Sequence, residues 1–503
     1  MQYSPGITLL VVSALLLTLT AGCTGTPAVT TAASPADQAY ARGLDESATG
    51  NYRTAEKTFS EASALYAAAG DAEGAKKSRD AGFRAFRTYA EYSLNRSAAV
   101  AAMREAFPDL AEQAIGDWLE TGAQTIISEN ETLYYDAAQN YLSAHPGLRR
   151  ETEGASVDMD VVGRWAFAGN RSKTGPYGSP VRYEGTETLA IPHEYLPSTG
   201  VMRIWFPLPV EAESQQNVTV ANLSYLEYIV KGPFTTGEIG YVYYELPVEK
   251  VGGDLVLTAD IGFTSYEQHF TVDPAAVGEY NTSDPDYLLY MASGRNIEVS
   301  DAIRKKAHEI VGNETNPYLM AQMIYAHMLS TYTYSHVPHL SLDAREPHVA
   351  ESAYMLETGH GDCGTQSMLF AALCRAVGIP ARAIGGYQML VTETPSCHFW
   401  AQYFVPGYGW VPTDLTLAEG GEWFAIPDDK RIHLQEYYGH SLDPARLVIQ
   451  KRVDVPVDPA LPDDAVAMRV VMQYPAIVSD TAAYDIDLIS SACFSVDLTA
   501  VGE

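Results

Sequence analysis

Residues 359–387 read GHGDCGTQSMLFAALCRAVGIPARAIGGY, and residues 397–416 read CHFWAQYFVPGYGWVPTDLT. In the first stretch Met368, Leu369, Ala372, Leu373, Ala376 and Val377 recur at three- and four-residue spacing, the apolar face of a helix. Gly378 ends that run and Pro380 bars its continuation. Asp362 stands where an N-cap belongs, which puts Cys363 on the first turn. Unpaired amides and the helix dipole at such a position favour an anion, so a lowered thiol pKa is expected there.

The second stretch alternates as a strand, with His398, Trp400, Gln402 and Phe404 on one side and Phe399, Ala401 and Tyr403 on the other. Pro406–Gly409 is a turn signal. Trp410, Val411 and Pro412 lead on to Asp414, which predicts a hairpin with His398 and Asp414 on neighbouring strands. Opposed side chains across a hairpin lie about 4.5–5.5 Å apart at Cβ, within reach of a carboxylate–imidazole bond. A thiol that attacks an amide or ester needs an imidazole to take its proton and a carboxylate to fix that imidazole's tautomer. Cys363, His398 and Asp414 supply those three groups in that order.

These blocks resemble the transglutaminase-like superfamily of papain-type thiol enzymes. The resemblance rests on GDC with its helix, GIPAR, the motif H-x-W-x-Q-Y from His398, and GYGW-x-P-x-D ending at Asp414; it covers residues 303–417. It implies Cys363 as nucleophile, His398 as general base and acid, Asp414 as orienting carboxylate, and no cofactor. Tyr332 and Tyr334 occupy the aromatic segment that precedes the cysteine block in that family. Phe399 stands in place of a small residue and Gln402 in place of a carboxylate, which implies a different substrate groove, with Tyr334, Trp400 and Gln402 as its expected lining. The Cys363 backbone N–H is the expected oxyanion donor.

Other motifs carry less. His336, His339 and His348 share a loop with Asp343 and Glu346, a pattern that suits a solvated polar loop better than a metal site, so no metal is expected. CxxC, HExxH, Walker and GxSxG motifs are absent. Cys374 reads as core, and the pairing of Cys374, Cys397 and Cys493 is left open.

The 503 residues suffice for about three domains. With 63 acidic against 32 basic residues the net charge is −31, a field that repels nucleic acid and anionic head groups. Ile7–Leu19 is too short an apolar run for a comfortable membrane span. It ends in Thr20-Ala21-Gly22-Cys23, which resembles a lipoprotein cleavage box with Cys23 as lipid acceptor. A plain secretory peptide and an uncleaved anchor are the alternatives, and all three place the bulk of the chain outside the cytoplasm, with membrane contact only through the N-terminus.

The expected organisation is a multidomain α+β chain. Residues 1–22 form a signal peptide and 23–36 a flexible linker. Residues 37–150 form a helical domain resembling tetratricopeptide units (Gly50, Tyr52, Ala55, Phe59, Ala62), either a protein-binding groove or a spacer. A β-sandwich-like domain at 155–275 and a papain/transglutaminase-like α+β core at 286–440 follow, then a β extension at 441–503 that either extends the core sheet or forms a last β unit. The functional expectation is a cell-surface thiol enzyme acting on peptide or protein amides through a thioester, hydrolysis favoured over cross-linking. The rival is a non-catalytic surface binding or assembly protein.

Overall fold

The computed structural model describes residues 33–152, 159–168, 175–345, 347–390, 394–424, 426–462, 465, 472–480 and 485–501. The apolar run Ile7–Leu19, Cys23 and Glu346 lie outside them. Among the described residues no helix is long and apolar enough to cross a membrane.

Three helices open the described chain: α1 (Pro35–Ala48), α2 (Tyr52–Ala68) and α3 (Ala72–Ala90). Ser34 and Asp37 form a reciprocal capping box at the start of α1, with Pro35 pre-set for the first turn. Packing is close because small residues on one helix admit a large ring from the next. A Cβ on Gly43 would lie 2.6 Å from the Phe59 ring.

The expectation of a helical 37–150 holds only in part. After β1 (Leu94–Asn95), α4 (Arg96–Ala106) and α5 (Glu112–Thr121), the chain forms a hairpin of β2 (Thr125–Ser128) and β3 (Glu131–Tyr134), in the sheet order β1-β3-β2. The β-branched Thr125, Ile126 and Ile127 favour extended backbone, and Glu129 and Asn130 at φ 54° and 64° make the turn. α6 (Ala137–Ala144) and α7 (Pro146–Thr152) complete this region.

α8 (Met159–Ala166) precedes six strands: β4 (Tyr177–Ile191), β5 (Val201–Pro207), β6 (Gln215–Ala221), β7 (Ile229–Phe234), β8 (Tyr241–Pro247) and β9 (Leu255–His269). β9 pairs with β4 and β6 in one sheet, and β5, β8 and β7 lie in another. Leu189, Ile204, Phe206, Val242, Leu257 and Phe263 belong to the apolar cluster buried there.

The next region contains α9 (Pro285–Met291), α10 (Asp301–Val311), α11 (Pro317–Thr331), β10 (Thr333–Tyr334), α12 (His339–Ala344), α13 (Glu351–Thr358), β11 (His360–Gly361) and α14 (Cys363–Ala376). β12 (Ala381–Gln388), β13 (Ser396–Val405) and β14 (Gly409–Thr413) follow, then α15 (Leu415–Trp423) and α16 (Asp428–His440). Every residue of α14 after Cys363 is buried, so this helix forms the centre of the largest apolar cluster.

Beyond residue 440 the chain gives β15 (Ser441–Leu442), β16 (Arg446–Gln450), β17 (Ala476–Ser479), α17 (Asp485–Ser490) and β18 (Phe494–Val501). Only β16 joins the core sheet, in the order β14-β13-β12-β16. β15, β17 and β18 instead pair with β9, β5 and β4 in the two earlier sheets. Among the described residues the segment is thus distributed among existing sheets and forms no separate β unit.

Candidate active site

The helix cap at Cys363 forms as its sequence implies: Asp362 Oδ1 accepts the Thr365 N–H at 2.9 Å. Cys363, Cys397 and Cys493 are half-buried and Cys374 is buried, and all four are free thiols. The backbone N–H of Phe399, on β13, donates towards the Cys363 sulfur. The first turn of α14 therefore meets β13 one residue beyond His398. A cavity of about 220 Å³ opens there, lined by Tyr334, His339, Cys363, Cys397, Phe399 and Tyr474 among others.

His398 is 5 % exposed, and its Nε2 lies 2.8 Å from Asp414 Oδ2. Asp414 differs from expectation in one respect. It follows β14 and caps α15, its Oδ1 accepting the Leu417 N–H at 3.0 Å. The same Oδ2 accepts from Arg446 Nη1 at 2.7 Å, and Arg446 in turn bonds the buried Asp443. Burial alone would push the Asp414 carboxyl up, but His398 and Arg446 beside it hold it well below the usual carboxylate range. The carboxylate is therefore ionised and fixed from three sides.

The thiol departs from the expected anion. Burial, followed by the negative charges of Asp362 and Asp414, pushes Cys363 well above its ordinary value. Desolvation outweighs the first-turn amides because protein surrounds the sulfur on most sides. That balance favours the neutral thiol over the thiolate.

Of the expected groove residues only Tyr334 lines the cavity. Its N–H donates to Glu419 Oε1 at 2.7 Å, and burial pushes Glu419 up to about 7. Trp400 and Gln402 fall elsewhere. Trp400 is 1 % exposed and stacks behind His398, with Arg446 over its ring. Gln402 is buried, accepting from Arg382 Nε at 2.8 Å and donating to Gln268. Both faces of β13 are covered, so the alternation that suggested a groove face instead divides two packed layers.

The loop histidines do not converge. His336 bonds Asp136 at 2.5 Å, His339 bonds Glu351 and Asp362, and His348 lies against the Arg295 backbone. Among the described residues no cluster of three or more potential ligands could hold a metal.

Sequence reasoning missed Arg446, Gln473 and Tyr474. Gln473 donates to the carbonyls of Gly386 and His398 at 2.6 and 3.0 Å, tying the segment before β17 across β12 and β13. This places Tyr474 in the cavity wall, where its hydroxyl pairs with the Cys397 thiol. No motif marks these residues; only the sheet topology brings them to the site.

Residues 304–415 match the family model of the Transglutaminase-like superfamily. The match lies within one stretch of the chain, which is similar to that superfamily's domain. The chain is 23% identical over 263 residues to an uncharacterized protein of Haemophilus influenzae, covering 46% of this chain and 68% of the relative. It is also 32% identical over 72 residues to a protein-glutamine gamma-glutamyltransferase of Pseudomonas aeruginosa, a match spanning 12% of this chain and 11% of that protein. Among solved structures, a candidate cysteine protease from Cytophaga hutchinsonii aligns with TM-score 0.40 at 15% identity, covering 65% of this chain and 93% of the other.

Proposed function

We propose that this protein is a thiol acyl-transfer enzyme for peptide or protein amides, with Cys363 as nucleophile, His398 as base and Asp414 as orienter. The observation that carries the reading is the buried His398–Asp414 bond at 2.8 Å, with the backbone N–H of Phe399, the next residue, donating towards a half-buried thiol at a helix N-terminus. Asp414 engages Nε2, which leaves Nδ1 as the nitrogen that exchanges a proton with sulfur. The neutral thiol gives up that proton as its sulfur bonds the substrate carbonyl. His398 then passes it to the leaving amine, and a thioester remains on Cys363. The amides of Cys363 and Gly364, on the open first turn, are the candidate donors to the oxyanion.

Water at the thioester gives hydrolysis, and we favour this outcome. An amine gives an isopeptide link instead, a second reading favoured by the local similarity to a gamma-glutamyltransferase. The apolar run before Cys23 supports work outside the cytoplasm, lipid-anchored at Cys23. Incubation with a peptide library, with and without a primary amine, separates the outcomes by product mass. Absence of any mass change with the wild-type protein, alongside unchanged peptide binding in Cys363→Ala, would favour a binding protein.

A further inference from the structure

Asp362 does more than cap α14. While Oδ1 accepts from Thr365, Oδ2 lies 2.7 Å from His339 Nε2. The other nitrogen of that ring, Nδ1, lies 2.9 Å from Glu351 Oε1. Two carboxylates therefore clamp one imidazole, and Glu351 is 1 % exposed. Burial alone would strip the ring of its proton, but Glu351 and Asp362 outweigh it and hold His339 well above its ordinary value, as the imidazolium.

The position of His339 is set from outside the catalytic segment. Glu91 follows α3 in the N-terminal helical region, and its two oxygens accept the N–H groups of Leu340 and Ser341 at 3.0 and 2.8 Å. Those are the two residues after His339, on the first turn of α12. The preceding residues are held from the same region: Tyr135 donates to the Val337 carbonyl at 2.8 Å, and Ser335 donates to Asn140 at 2.5 Å. Arg87 also pairs with Asp343 at the far end of α12.

We propose that His339 is a positioning residue for the Cys363 thiol and that Glu91 couples the N-terminal helical region to it through the first turn of α12. The proposal rests on the reading of Cys363 as nucleophile. Physically, Asp362 has two effects on the sulfur: it fixes the first turn of α14, and its charge opposes thiolate formation. The imidazolium offsets that charge and stops the carboxylate swinging off the cap. The groups facing His339 are Glu351 and Asp362, with Glu91 behind the 340–341 amides and Tyr135 and Tyr354 nearby. Those facing the sulfur are Asp362, Asp414 and Cys397, with Tyr334 and Tyr474 in the same cavity wall.

The test measures iodoacetamide alkylation of Cys363 against pH in the full chain, alongside turnover, for wild type, His339→Gln, Glu91→Gln and the double variant. Removing one compensating charge moves a neighbouring pKa by about one unit, so His339→Gln shifts the profile to higher pH and slows alkylation about tenfold at neutral pH. Glu91→Gln keeps one acceptor and slows it about threefold, while the double variant matches His339→Gln, because residues in one network are not additive. Superimposable profiles in both single variants overturn the proposal, as does strict additivity. Should His339→Gln melt early, the Glu91→Gln profile decides alone. A shifted profile without turnover in any protein, wild type included, sinks the enzymatic reading and leaves the coupling standing.

Discussion

His398 with Asp414, and His339 with Asp362, are two imidazole–carboxylate pairs built around the same thiol. One lies on the β13 side and the other beneath the first turn of α14. In the first, a single ring nitrogen is engaged and the carboxylate is anchored by Arg446. In the second, both ring nitrogens contact carboxylates. A general base needs an unengaged nitrogen, and an imidazolium held by two acids has none. The difference separates a pair that can move a proton from a pair that can only place one.

Three substitutions break the comparison most sharply. Cys363→Ala or His398→Ala should lower turnover by about a thousandfold or more, with melting of Cys363→Ala close to wild type, as turnover assays and calorimetry would show. Activity retained in His398→Ala would transfer the base role to the other imidazole. Asp414→Asn should lower kcat by up to about 10⁴-fold through loss of the imidazole's orientation. It should also cost stability, on the order of 3–5 kcal/mol in a denaturant titration, because Arg446 stays buried with one partner gone. Unchanged stability would mean that the Arg446–Asp443 pair is sufficient alone.

Smaller effects sharpen the electrostatics. With the thiol pushed up by burial, alkylation of the resting protein should be slow at about pH 6 and accelerate as pH rises; fast reaction there would mean a preformed thiolate. Burial raises Glu419 from its ordinary value to about 7, so the folded state holds a proton that the unfolded chain releases. Stability from this group is present below the unfolded pKa and is lost as pH climbs towards 7, by roughly 3 kcal/mol. Glu419→Gln should flatten that part of the stability–pH curve. Gln402→Ala should cost about 1–3 kcal/mol by stranding the Arg382 contact, with KM unchanged; a raised KM would return Gln402 to the substrate groove.

Much of this was legible in the chain. The helix from Cys363, its Asp362 cap and the β13–β14 hairpin follow from local spacing and turn chemistry, which act over a few residues. Trp400 and Gln402 misled because alternation marks two faces without saying which one meets solvent, and here neither does. Arg446, Gln473 and Tyr474 were unreadable because they reach the site by pairing between strands far apart in sequence. His339 was visible only as one of three loop histidines, since its partners come from α13 and the α14 cap. The β2–β3 hairpin hid inside a region whose alanine content suggested helices throughout.

Gln473 ties its segment across β12 and β13, and the strands after it pair with β5 and β4. A ribosome delivers Cys363, His398 and Asp414 well before those closing pieces. Until residues past 470 have left the exit tunnel, the nascent polypeptide holds the proposed triad without the wall that Tyr474 supplies. The wall around Cys363 is therefore complete only once the last strands have paired.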